Sequence, residues 1–319
     1  MSNVAWLSRV MLLGLVGTAV LASLSFSILG LRGTRNNAYA KPTSEADRLQ
    51  TTAITPQEIQ VLKVSASQPP TPLIQQKPLQ KSGNNTKVPV RPFNLQQTLI
   101  DYLPLFDTPT SLGMVTIAVA EGTYRLVEKD GTLYVQQTPA FFGHIDPGNL
   151  SWGERVTNYG PCSDQGRSKG NIALAEQLCL ERSRGALPTH LVDLNAAGID
   201  PNQDLEAVLN TADLYNQASP IHSRYFPKAL AMAQRGGLRG VEALAWARTA
   251  SFYLNTNNEL DVEKGSNQAT GLIGICAREN RWITEWQCVY DDQIRRVKAI
   301  SKAVEKYRLF AQRRTQKSS

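Results

Sequence analysis

The chain has 319 residues, 42% hydrophobic and 19% charged, enough for one large domain or two small ones. Its 5 Trp, 10 Tyr and 8 Phe are enough for a packed core and exclude a wholly disordered chain. The net charge of +7 draws it toward anionic partners, while three His and four Cys without CxxC spacing exclude an iron–sulfur protein and argue against a zinc enzyme. No metal and no cofactor is expected.

Residues 10–31, VMLLGLVGTAVLASLSFSILGL, carry no charge. As a helix they would reach about 33 Å, the thickness of a bilayer core. Arg9 precedes the run and Arg32 and Arg35 follow it, so the charges do not fix an orientation. Ala38-Tyr39-Ala40 is a small-x-small site of the kind signal peptidases cut. Two readings of residues 1–40 stay open: an uncleaved signal anchor in the inner membrane, or a signal peptide removed after Ala40. Both export the remainder, to the periplasmic side of the membrane or beyond the cell.

Residues 41–95 read as a disordered linker. They hold 8 of the 17 prolines among Gln, Thr, Ser, Asn and Lys, with Phe93 the only aromatic. Such a segment buries too little apolar surface to offset its ordering entropy. Within it, a short helix is expected at 56–64.

Residues 96–315 form the globular part, mainly α (α+β). Helices are expected at 96–103, 112–121, 171–184, 204–216, 227–235, 240–254 and 291–314. Leu112, Val115 and Val119 mark one face of the second, Thr110-Ser111 its cap, and Gly122 its stop. Two β-rich runs flank Asp130-Gly131, a strong hairpin signal over 125–136. The last helix spaces Ile294, Val297, Ile300, Val304, Tyr307 and Phe310 as an apolar stripe. Residues 281–319 carry ten Lys/Arg against four Asp/Glu, read as a solvated face opposite that stripe. No nucleic-acid motif accompanies the charge, and no nucleic-acid partner is expected.

An even number of cysteines in an exported chain reads as two disulfides. The short loops favour Cys162 with Cys179 and Cys276 with Cys288, although three pairings are possible. Asp193-x-Asn195 with Gly198 and Asp204 partly imitates a calcium loop. Ala197 stands at a ligand position and the final Glu is missing, so capping and turn roles are preferred. Trp246, Trp282 and Trp286 read as core, with stacking on a sugar ring as the alternative for any of them that is exposed.

The arrangement with catalytic character is a helix ending at Glu121, then Gly122, then a hairpin. The negative end of the helix dipole disfavours an anion there, and packing against Val119, Leu126 and Phe141 would disfavour it further. An acid so placed keeps a proton to donate. Glycoside cleavage needs such an acid and a second group across the scissile bond. Asp130 is the candidate second carboxylate and Thr138 a candidate to hold a water. Phe141, Phe142, His144 and Asn149 are candidate substrate-binding residues, the two Phe as faces for sugar rings. His144 is also read as a hydrogen-bonder at the hairpin base.

The stretch Ala120-Glu121-Gly122-Thr123, with the hairpin and Gly143-His144 after it, resembles the active-site segment of phage-type lysozymes. That resemblance implies a lysozyme-like helical domain, a catalytic Glu at Glu121, and an Asp nine positions on, at Asp130. Thr138 nearly matches the Thr before the Gly-His pair, with one residue too many between them. The A-E-G-T tetrapeptide also resembles lambda-type endolysins, lytic transglycosylases that use a Glu with no carboxylate partner. The resemblance is close over some thirty residues. Other segments resemble a family of bacterial, mostly cyanobacterial, envelope proteins: 142–149, Asp213-Leu214-Tyr215-Asn216-Gln217, Ala247-Arg248-Thr249 and Asp292-Gln293-Ile294-Arg295-Arg296. This second resemblance supports the domain and not the reaction.

Three functional readings follow. The first is an exported peptidoglycan-cleaving glycosidase, a muramidase-like hydrolase or a lytic transglycosylase. The second is a catalytically silent module of the same fold that holds peptidoglycan or another envelope polysaccharide. The third is a purely structural envelope protein. The oligomeric state is left open.

Overall fold

The computed structural model describes residues 61–63, 92–145, 150–151 and 154–318, all within one compact unit, Thr55–Ser319. The apolar run 10–31, the Ala38-Tyr39-Ala40 site and Asn149 lie outside the described residues, as does most of the linker. No helix among the described residues is long and apolar enough to cross a membrane.

In chain order the elements begin with β1 (Val61–Lys63), α1 (Leu95–Tyr102) and α2 (Leu112–Glu121). The hairpin β2 (Tyr124–Lys129) and β3 (Thr132–Gln137) follows, then the short pair β4 (Leu150–Ser151) and β5 (Glu154–Arg155). Next are α3 (Ile172–Ala196), α4 (Leu205–Gln217), α5 (Pro220–Arg235) and α6 (Gly240–Ala250). The chain closes with β6 (Tyr253–Leu254), β7 (Ser266–Asn267), α7 (Thr270–Arg278) and α8 (Glu285–Ser318). The protein is mainly helical with small antiparallel sheets.

The centre is α2. The expectation of a single apolar face is corrected: Gly113, Met114, Thr116, Ile117, Ala118 and Ala120 are buried as well as Leu112 and Val115. A helix apolar all round is a core helix, and α8, α4, α3 and β2 surround this one. Thr116, its polar residue, satisfies its hydroxyl on Gly113 O at 2.7 Å. The Ser111 hydroxyl does not cap α2; it turns back to accept from Thr108 N at 3.0 Å. Gly113 faces the Phe106 ring and Leu105 O so closely that a Cβ would lie 2.5 Å from the ring.

Gly122 ends α2 in the left-handed region, at φ +84°. Thr123 N donates to Ala118 O at 2.9 Å and Gly122 N to Val119 O at 3.3 Å. These are the two reverse bonds of a Schellman stop. Asp130 and Gly131 both have positive φ, as a two-residue type I′ turn requires, so the hairpin forms where Asp-Gly predicts it. The free edge of β3 takes up β1, with Leu62 opposite Val135. The expected helix at 56–64 is corrected over 61–63: Val61-Leu62 is a strand because β3 offers unpaired backbone groups there.

Several helices differ from the sequence reading for visible reasons. α3 does not stop at 184; it runs through Gly185 and Pro188 to Ala196 because Leu187, His190, Leu191 and Leu194 are all buried. α5 starts at Pro220, and Pro227 lies inside it, buried beside Phe226. α6 ends at Ala250, where the chain turns into β6. α7 was not anticipated, and α8 begins six residues earlier than expected. The α8 stripe packs as read, with Val297, Ile300, Val304 and Tyr307 buried and Ile294 and Phe310 against the same core.

Cys162 pairs with Cys179 and Cys276 with Cys288, with Cα–Cα distances of 5.9 and 6.2 Å. The first ties the loop before α3 to that helix, and the second ties α7 to α8. In the calcium-like segment, Asp204 caps α4 by accepting from Ala207 N at 2.9 Å, and Asp193 pairs with Arg224. Trp246 and Trp286 pack together at 5.8 Å between ring centres, against the core, whereas Trp282 is 99% exposed.

Candidate functional site

Glu121 is the last residue of α2, and α2 is otherwise enclosed. Its carboxylate therefore emerges from the core at one point, onto an open cleft of about 460 Å³. The cleft is lined by Glu121 from α2, Asn216 and Gln217 from α4, His222 from α5, and Asp292, Arg295 and Arg296 from α8. Gln165, Arg182 and Gln268 complete its polar wall, Phe252 adds an apolar contact, and α7 adds Thr270, Leu272 and Ile275. Pockets of this size with a few convergent polar groups are where small ligands bind. A smaller cavity of about 260 Å³ lies between α4, α5, α6 and α8, but its acids are engaged: Asp204 caps α4 and Glu206 accepts from Ser301.

The surroundings of Glu121 correct the expectation of an apolar pocket. Arg296 donates through Nη2 to Oε1 at 2.9 Å and through Nη1 to Oε2 at 3.2 Å. Asn216 Nδ2 donates to Oε1 at 2.6 Å, while its Oδ1 accepts from Ser163 N at 3.1 Å. The carboxylate is thus clamped by a fork and an amide, a set of donors that suits an ionised acid.

Behind this clamp runs a buried chain of alternating charge. Arg296 also donates through Nε and Nη2 to Asp213 at 2.9 and 2.7 Å. Asp213 in turn meets Arg248 Nη2 at 2.8 Å. Arg248, with no exposed surface, completes its donors on Gln293 Oε1 at 2.7 Å, Asn210 O at 3.0 Å and Gln217 Oε1 at 2.8 Å. Two acids and two guanidiniums therefore sit together with no net charge, the condition under which buried ions are tolerable. Burial pushes the Asp213 carboxyl up, but Arg296 and Arg248 outweigh it and hold it below the usual carboxylate range. Burial works against the Arg296 charge, yet Asp213 and Glu121 override it and raise its pKa.

Arg295 adds a second support. Its Nη1 donates to Ala120 O at 3.0 Å, closing a free carbonyl at the C-terminus of α2, and it pairs with Asp292 at 2.8 Å. Asp292 also accepts from Gln217 at 2.8 Å. Among the described residues, Glu121 and Asp292 are the acids that line the cleft.

Of the residues the sequence singled out, the structure joins Thr138 to the Glu121 turn. Its hydroxyl donates to Gly122 O at 2.7 Å and pins the base of the hairpin there. Asp130 is not brought to Glu121. It sits exposed at the hairpin tip, beyond β2, roughly 17 Å of strand from the base. Phe141 is fully buried and stacked on Tyr124 at 5.4 Å, and half-buried Phe142 packs edge-on to it, so neither lines the cleft. His144 Nδ1 bonds to Ala140 O at 2.9 Å, and its backbone bridges to Asn158, holding the hairpin base.

The partners Arg296, Asp213, Arg248 and Asn216 were not proposed as site residues from the sequence. They stand in the segments that carry the envelope-family resemblance, and the fold converges those segments on Glu121. The available signal was an Asp and an Arg placed next to apolar residues, in NTADLYN and LAWARTA, where a charge needs a buried partner. Compared with known proteins, the chain matches no family model, no curated protein and no solved structure.

Proposed function

We propose that the protein is an exported, envelope-tethered glycan-cleaving protein that acts on peptidoglycan, with Glu121 as its proton-transfer group and a lysozyme-like helical domain as its frame. The observation that carries this reading is the position of Glu121: a carboxylate at the end of a buried helix, only 7% exposed, at the floor of an open polar cleft. The amide-rich wall suits N-acetyl sugars. Two disulfides suit an oxidising compartment, which agrees with export through residues 1–40.

With Asp130 at the hairpin tip, the lytic transglycosylase form is the one the geometry favours. For this step Glu121 must first take up a proton from solvent; it then gives that proton to the glycosidic oxygen as the C1–O bond breaks. The resulting carboxylate, received by Arg296 and Asn216, then takes the proton of the sugar's own 6-hydroxyl as that oxygen bonds to C1. The product ends in an anhydro ring and no water is consumed. Incubating the purified protein with peptidoglycan and weighing the released muropeptides tests this. Anhydro ends support the reading, reducing ends indicate hydrolysis, and no release leaves the binding module.

That second reading, a catalytically silent module holding peptidoglycan or another envelope polysaccharide, has its own observation. Both oxygens of Glu121 are already occupied by three donors. Binding without cleavage, unchanged in Glu121→Gln, is its signature.

A further inference from the structure

The loop between α7 and α8 is braced on both sides of one exposed side chain. Arg281 N donates to Cys276 O at 3.1 Å and Ile283 N to Arg281 O at 2.9 Å. The Cys276–Cys288 disulfide spans the loop, the Arg281 guanidinium pairs with Asp291, and Thr284 Oγ1 accepts from Gln287 N at 3.1 Å. Between these fixed points Trp282 is 99% exposed. The fold holds the backbone at this position and leaves the indole without a packing role.

The loop joins two helices that line the cleft. α7 lines the cleft through Leu272 and Ile275 immediately before it, and α8 does so through Asp292 and Arg296 after it. From Asp292 back to Glu285 the helix rises about 10 Å, and Trp282 lies three residues further on. A glycan strand that left the cleft along these two helices would pass the loop that carries Trp282. We infer that Trp282 is an outer stacking platform for the same glycan strand whose inner sugars occupy the cleft. This rests on the glycan reading above.

The chemistry favours a sugar ring over a lipid surface. An indole offers a large, rigid apolar face to the C–H face of a pyranose ring. An anionic bilayer calls for an excess of basic residues around an inserting Trp. Here Arg278 and Arg281 are balanced by Glu279, Glu285 and Asp291.

The test uses the full chain carrying Glu121→Gln, so that glycan is not consumed, with and without Trp282→Ala. Peptide-free peptidoglycan oligosaccharides, short and long, are titrated while tryptophan emission is followed. The expected result is that long chains bind about tenfold more weakly without Trp282 and no longer shift its emission. Short chains bind both proteins alike, and Trp282→Tyr recovers most of the loss. Repeating the binding series in the wild-type background on ice guards against a folding effect of Glu121→Gln. If short and long chains bind equally well with and without Trp282, the platform is wrong and the cleft reading stands. If neither length binds either background, both readings fall. Vesicles of anionic lipid that bind only when Trp282 is present would overturn the platform in favour of a membrane contact.

Discussion

Arg296 holds Glu121 and Asp213 with one guanidinium: Nη2 lies 2.9 Å from Glu121 Oε1 and 2.7 Å from Asp213 Oδ1. The acid at the cleft floor is therefore tied to the centre of the fold, through Asp213 to Arg248. Cleft and core are mechanically one object.

Removing Arg296 leaves Asp213 with one cationic partner and Glu121 with only an amide. Arg296→Met should cost about 3–5 kcal/mol, the usual result of breaking a buried ion pair on one side. Urea unfolding measures it. Arg296→Met and Asp213→Leu should be strongly non-additive, because each destroys the same contact. Additive losses would show that the two groups act independently.

Gly122 turns the chain out of α2 at φ +84°, and a Cβ built there meets nothing within 4 Å. Gly122→Ala should therefore cost only the backbone strain of a left-handed Ala, about 1–2 kcal/mol. Thermal unfolding checks the size. Since Glu121 precedes this turn, whatever glycan activity is present should fall more than stability does.

The hairpin, the Gly122 stop and both disulfides were legible because each is written locally, in Asp130-Gly131, in a Gly after an apolar run, and in close cysteines. The cap on α4 at Asp204 was legible for the same reason. The long helices were misjudged where local breakers met tertiary packing. Pro188 and Pro227 look like boundaries in sequence but are held inside helices by buried neighbours. The clamp on Glu121 was not legible because its members are 92 to 175 residues away along the chain, and only the packing of α2, α4 and α8 joins them. Asp130 was read from its spacing to Glu121, and spacing along a hairpin does not bring its tip back to its base.

His190 gives the fold an acid-sensitive element. Burial, with a smaller contribution from nearby Arg224, pushes its pKa down from 6.5 to about 4. The folded chain then keeps His190 neutral where the unfolded chain protonates it. Its contribution is fully present above about pH 6.5 and is lost as pH falls toward 4, amounting to at most about 3 kcal/mol. Denaturant midpoints between pH 7 and 4 should fall, and His190→Phe should flatten that part of the curve. An unchanged slope would remove His190 from the account.

Each disulfide closes a short loop, with sequence separations of 17 and 12. Loop entropy predicts about 3 kcal/mol for either one. Replacing Cys162 and Cys179 with Ala should lower global stability by about that amount. Replacing Cys276 and Cys288 should in addition loosen the α7–α8 loop, visible as faster hydrogen exchange at residues 279–284. Non-reducing peptide mapping that links Cys162 to Cys276 would contradict the pairing.

The most direct test of the central claim is the release of muropeptides from peptidoglycan by the wild-type chain, Glu121→Gln and Asp130→Asn, side by side. Gln keeps the size of Glu and can still hydrogen-bond, but it has no proton to give a leaving oxygen. The account predicts release by the wild type with anhydro ends, a loss on the order of 10²–10⁴ in Glu121→Gln, and a near-normal rate in Asp130→Asn. Equal release by the wild type and Glu121→Gln, or no release by a folded wild-type protein, would contradict it.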